Sequence, residues 1–217
     1  MQTVTELIFR LSPPGGFFDE TVIRNILADR SEAARKVLVH RAVAEGEIMR
    51  LRPGLFLLAP DLRKTHLHPF VIAAILHSPS HVSLESALAH HGLIPEAVFQ
   101  VSSVTSSRSR AFKTPVGVFS FVRVPAANPR AGVQALKVDN RSWAFVATPF
   151  RAIADLVYTR KDVRWEKDGL AFLTDSMRID REDLENMALD DLNEVCESLR
   201  ERRTTDYLRG LVRELGK

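Results

Sequence analysis

The chain has 217 residues, 45% of them hydrophobic, with a formal net charge of +3 and a single cysteine, Cys196. That length allows one or two domains with ordinary buried cores. One cysteine excludes an intramolecular disulfide framework and suits a cytosolic protein. The opening MQTVTELIFRL lacks the basic region and long apolar run of a signal peptide. The longest apolar run, Phe70 to Leu76, falls far short of the ~20 residues that span a bilayer, so a cytoplasmic protein with no membrane partner is expected.

Charge is distributed unevenly. Residues 1–60 hold eight Lys/Arg against seven Asp/Glu, residues 61–141 nine against four, and residues 142–217 thirteen against sixteen. From Asp180 to Glu197 only Arg181 is basic. A basic middle and an acidic end suggest surfaces for different partners.

In chain order, TVTELIFRL reads as a short helix, stopped by SPPGG at Ser12–Gly16. Asp19 is a helix N-cap, with Phe18 and Ile23 spaced as a hydrophobic staple. Val22, Ile23, Ile26 and Leu27 form the apolar stripe of this second helix. Ser31 caps a third helix, which ends at Gly46. Ile48–Leu51 and Leu55–Leu58 read as two strands joined by Arg52-Pro53-Gly54.

Three helices and a hairpin in about sixty residues make a winged helix-turn-helix pattern. In such modules the last helix enters the major groove and the hairpin lies against the backbone, where cations neutralise phosphates. Arg30, Arg35, Lys36 and His40 lie on or near the polar side of the third helix, and Arg50 and Arg52 lie on the hairpin. These six are the expected DNA-binding residues. The near balance of charge in residues 1–60 also suits a protein-interaction module.

Further along, His68 to Leu76 reads as a buried helix. HVSLESALAHHGLIPE, His81 to Glu96, reads as a second helix, capped by Ser83 and ended by Gly92. VFQVSSVTS, VGVFSFVRV and WAFVA have the β-branched content of strands. SSRSRAFKTP, between the first two, reads as a polar basic loop, either DNA-facing or simply solvated. TPFRAIADLVY is a helix capped by Thr148 with Pro149 at its first position. Two or three polar helices close the chain.

The expectation is an α+β protein in two parts. Residues 1–60 form the winged helix-turn-helix. Residues 61–217 form a domain of helices around a small, mainly antiparallel sheet.

The sequence offers little catalytic chemistry. Six of seven histidines fall within residues 66–91, but no His-Glu-x-x-His occurs, and adjacent His90 and His91 would point about 100° apart on a helix. Arg35/His40 and Arg63/His68 both match a loose Arg-x4-His spacing, which shows how little that spacing discriminates. No Glu-x-Lys, Asp-x-Lys or Asp-x-Asp occurs, and there is no phosphate-binding glycine loop. The serines around Arg108 and Arg110 have no evident base. Neither an enzyme nor a cofactor or metal site is expected.

Three stretches carry a resemblance: EGEIMRLRPGLFLL, HVSLESALAHHGLIPE and FVATPFRAIADLVY. Together they lie within Phe18 to Tyr158. The chain resembles the AbiEi antitoxin family of type IV toxin–antitoxin systems. It departs from that family at Phe150-Arg151, where Glu-Lys is frequent, and at Pro53, where a second Arg is common.

The resemblance implies two activities. The N-terminal module would bind operator repeats and repress its own operon, with more than one copy on the DNA. The C-terminal domain would neutralise a partner toxin of nucleotidyltransferase type.

Overall fold

The computed structural model describes residues 3–63, 66–95, 99–139 and 142–216. Glu96 and Val98, at the expected ends of a helix and a strand, lie outside that set. The chain divides into two compact units, Met1–His68 with Phe112–Gly117, and Pro69–Ala111 with Val118–Lys217.

The first unit opens with helix α1, Val4–Leu11. Thr3 and Glu6 form a reciprocal capping box there, which satisfies two amides that the first helical turn leaves open. The paired prolines and glycines then turn the chain, and Phe17–Asp19 runs extended as strand β1. Asp19 caps α2, Glu20–Ile26, by accepting from the Val22 amide at 3.0 Å. Ser31 caps α3, Glu32–Ala44, by accepting from the Ala34 amide at 3.3 Å.

Past α3, Gly46 sits at φ +76°. Its amide donates to Val43 O and that of Glu47 donates to Ala42 O, closing the helix with a Schellman motif. Strands β2, Ile48–Arg52, and β3, Leu55–Leu58, form the hairpin.

β3 is the central strand of a three-stranded antiparallel sheet, flanked by β1 and β2. The sequence suggested only two strands here. The extended backbone that precedes the Asp19 cap supplies the third. A strand buried along its whole length, as β3 is, needs partners for its backbone groups on both edges. Val4, Ile8, Phe18, Ile23, Leu27, Ala42, Ile48, Phe56 and Leu58 form the core of this unit.

The second unit starts with α4, Pro69–Leu76, strand β4, Ser80–Val82, and α5, Leu84–His90. Strands β5, Gln100–Thr105, β6, Arg110–Thr114, β7, Gly117–Arg123, β8, Val133–Lys137, and β9, Trp143–Ala147, complete a six-stranded sheet. Its order is β6-β7-β5-β4-β9-β8. The sheet is mixed rather than mainly antiparallel. β4 runs parallel to β9 and β5 parallel to β7, while β4–β5 and β8–β9 are antiparallel. β4, β6 and β8 were not legible as strands, because β4 has three residues and the other two are rich in exposed positions. The expected loop SSRSRAFKTP therefore shortens, since its second half is β6.

Helix α6, Pro149–Thr159, is capped by Thr148 and buried along most of its length. The chain closes with α7, Trp165–Asp168, a π-type turn at Phe172–Ser176, α8, Arg181–Asn186, α9, Leu192–Ser198, and α10, Arg202–Glu214. The acidic run thus occupies α8 and α9. No helix among the described residues is long and apolar enough to cross a membrane.

A buried ion pair lies at the heart of this unit. Arg151 and Asp155, one helical turn apart on α6, are 1% and 0% exposed, with Arg151 Nε 3.0 Å from Asp155 Oδ1. Arg151 Nη1 also donates to Ala131 O at 2.7 Å. The Ser83 hydroxyl donates to Asp155 Oδ2 at 2.7 Å. Ser83 occupies the expected cap position of α5, but its side chain reaches across to α6 instead of capping.

Burial pushes the Asp155 carboxyl up. Arg151, His81 and Ser83 outweigh that push and hold it below its ordinary value. A depressed carboxyl contributes stability that is fully present above the unfolded value of about 4. That stability is lost as pH falls through the lower folded value. Asp155→Asn is therefore expected to cost roughly 3–5 kcal/mol near neutrality, because it leaves a buried guanidinium without its counter-charge. Chemical denaturation across an acid pH series measures this. The variant should lose less further stability than the wild type below pH ~4. Equal acid sensitivity in the two proteins would show that Asp155 is not the linked group.

Candidate nucleic-acid interface

The Ser31 cap starts α3 just past Arg30, and the Schellman close hands the chain straight to β2. This places the polar side of α3 and the outer face of β2 beside one another. β2 carries a register shift between Arg50 and Arg52, with Arg50 opposite Phe56 and Arg52 opposite Leu55. The bulge leaves Leu51 buried and turns Arg50 outward. Gly54, at φ +76°, supplies the left-handed residue of the turn.

A groove of about 590 Å³ opens on this side of the unit. Arg35, Lys36 and His40 from α3 and Arg50 from β2 line it, with Arg24 from α2. Its floor is apolar: Ile23, Val39, Val43 and Phe56. Four of the six expected DNA-binding residues therefore gather at one place.

The other two do not line the groove. Arg30 pairs with Asp29 at 3.2 Å, and Arg52 Nη1 donates to Pro53 O at 3.3 Å. Sequence reasoning missed Arg24, which belongs to a helix read only for its apolar stripe. It also missed the two carboxylates at the groove, Glu20 and Glu32.

Those acids matter. Lys36 Nζ lies 2.5 Å from Glu32 Oε1, and both side chains are exposed. The hydrogen bond to Lys36 pulls the Glu32 carboxyl down, and the bond to Glu32 pushes the Lys36 ammonium up. Arg35 Nη1 donates to Arg30 O at 2.8 Å, folding its side chain back over the start of the helix. Arg41, further along α3, pairs with Glu45. Exposed pairs of this kind are weak and exchange readily for a phosphate.

The histidine-rich segment disperses into packing roles. His77 meets the edge of Phe121, His90 that of Phe70, and His91 Nε2 lies 2.8 Å from Ala147 O. His81 Nε2 stands 3.5 Å from Asp155 Oδ2. Ser83, His81 and Asp155 have the composition of a hydrolytic triad but not its order. The carboxylate lies between the other two, whereas a triad places the imidazole between serine and acid. All three are also buried. Cys196 lines a second groove, of about 660 Å³, beside Trp165, Leu192 and Val212. Burial pushes its thiol up, which is the opposite of activation.

No family model matches the chain, and no curated protein matches it significantly.

Because Ser31 sets where α3 begins, Ser31→Ala should cost about 1 kcal/mol. It should also increase fraying of the turn that carries Arg35. Amide hydrogen exchange at Ala34 and Arg35 reads the local effect. Unchanged exchange at both would mean that the cap does not hold the start of the helix.

Proposed function

We propose that the chain is a DNA-binding antitoxin of AbiEi type. In this reading α1–α3 and the β2–β3 hairpin act as a winged helix-turn-helix that represses the chain's own operon. The second unit neutralises a nucleotidyltransferase toxin. The protein has no catalytic role and needs no cofactor.

One observation carries the DNA-binding half. Arg24, Arg35, Lys36, His40 and Arg50 come from three separate elements and line one groove. Spacing of this kind suits successive phosphates, with α3 presented to base edges between them. Operator repeats would seat more than one copy.

The antitoxin half rests on the resemblance. The second and third stretches that carry it meet in the Ser83–Asp155–Arg151 network. Arg151 replaces the family's frequent Lys and takes up a buried structural position.

A second reading has a specific observation behind it. The groove has an apolar floor and contains Glu20 and Glu32, which suits a protein segment better than a bare phosphate track. In that reading the first unit is a protein–protein adaptor without specific DNA binding.

Titration against the DNA upstream of the gene, with a scrambled control at two salt concentrations, separates the readings. The antitoxin reading expects specific, salt-sensitive binding. Arg35→Ala or Lys36→Ala should each weaken it and reduce the salt slope by about 1. Identical binding of the two DNAs would favour the adaptor. Rescue of cell growth on co-expression with the neighbouring gene product tests the toxin half separately.

A further inference from the structure

From Phe99 to Val138 the chain contains no Asp or Glu, while it carries Arg108, Arg110, Lys113, Arg123, Arg130 and Lys137. Three of these cations meet at one end of the six-stranded sheet. The Arg123 amide, at the end of β7, donates to the Ser109 hydroxyl at 2.9 Å. Ser109 stands between Arg108 and Arg110. A single hydrogen bond thus joins residues fourteen apart in sequence and brings Arg123 beside the other two arginines.

The loop that carries them is anchored at its other end too. The Ser107 amide donates to the Thr105 hydroxyl at 3.1 Å, and that hydroxyl donates to Pro79 O at 2.7 Å. The Val124 amide donates to Thr105 O.

Arg108, Arg110 and Arg123 are all exposed. Among the described residues, none of their guanidinium groups has an ion pair or hydrogen bond. This contrasts with Lys36 and Arg41 of α3, which are paired with their own helix. Fixed backbone, free guanidinium groups and adjacent serine hydroxyls are the components of a phosphate-binding surface. Prior anchoring of the loop reduces the entropy lost on binding.

We propose that Arg108, Arg110 and Arg123 form a second nucleic-acid contact, on the second unit, that grips backbone phosphates without reading sequence. The choice of nucleic acid as ligand rests on the DNA-binding reading above. Planar guanidinium groups beside serine hydroxyls favour it over an acidic protein, because both are frequent donors to phosphate oxygens.

The test uses the full chain and a mixed-sequence duplex DNA, titrated over a series of salt concentrations. The wild type is compared with the triple variant Arg108→Ala/Arg110→Ala/Arg123→Ala, the corresponding triple Lys variant, and Arg35→Ala/Arg50→Ala. The triple Ala variant should bind roughly tenfold or more weakly, with a salt slope smaller by about 2–3. The Lys variant should keep most of the slope, because point charge survives. Thermal melts should coincide, since the three side chains are exposed and the Ser109 bond uses a backbone amide.

Unchanged affinity and slope in the triple Ala variant overturn the proposal. If Arg35→Ala/Arg50→Ala is weakened in the same experiment, the first-unit reading stands regardless. The reverse pattern overturns the first-unit reading and leaves this surface in place. If the triple Ala variant binds DNA normally but loses retention on polyglutamate, the surface is one for acidic protein, and the proposal fails. A wild type that binds no duplex overturns both.

Discussion

The second unit depends on one buried charge. Asp155 is fully enclosed, and an isolated carboxylate in such a place costs several kcal/mol. Its neutralisation therefore dictates the surroundings. Arg151 must stand one turn away on α6. Ser83 must leave its own helix amide and turn to the carboxylate. The Ala131 carbonyl must point inward to take the second face of the guanidinium. Gly132 then has no room for a side chain, because a Cβ there would stand 2.7 Å from that of Arg151. Three separated segments are fixed by one requirement for charge balance. An apolar replacement could match the stability of such a pair, but it would not impose these orientations.

A second polar device closes the unit on the far side of α6. A helix end leaves its last carbonyls without partners. Arg203, near the start of α10, donates to the carbonyls of Val157, Tyr158, Arg160 and Val163 and is held by Glu201. The C-terminal helix is thereby tied to α6. Gly210 continues the contact, since only hydrogen fits where the ring of Trp165 crosses α10. The polar appearance of this tail in sequence conceals how many of its residues, Thr204, Tyr207, Leu208 and Leu211 among them, are buried.

How far the fold could be read in advance follows from where its information is stored. Caps at Asp19, Ser31 and Thr148 are local, and each helix begins where its cap requires. Strands β5, β7 and β9 announce themselves by β-branched and aromatic residues. β4 has three residues, and β6 and β8 are edge strands that owe their conformation to a neighbour, so no local pattern marks them. The parallel pairs β4–β9 and β5–β7 are likewise long-range. Ser83 shows the same limit at one residue: its place at the head of a helix is local, but its hydrogen bond is decided 72 residues away.

The groove on the first unit was legible to the same partial degree. Polar helical spacing picks out Arg35, Lys36 and His40, and the turn picks out Arg50. Nothing local reveals Arg24, which joins them only because α2 packs alongside. Nor does residue type reveal that Lys36 is already engaged. On the proposed reading this engagement shapes the function. A phosphate approaching α3 must displace Glu32 from Lys36, so part of the attraction is spent on breaking a weak pair, and Arg24 and Arg50, which have no ion pair among the described residues, set the initial field. Because such an exposed pair is weak, it lowers the attraction for phosphate without abolishing it. A nearly neutral module is then compatible with an operator-binding role. On that reading, the charges of the groove cancel in part until a phosphate displaces Glu32 from Lys36.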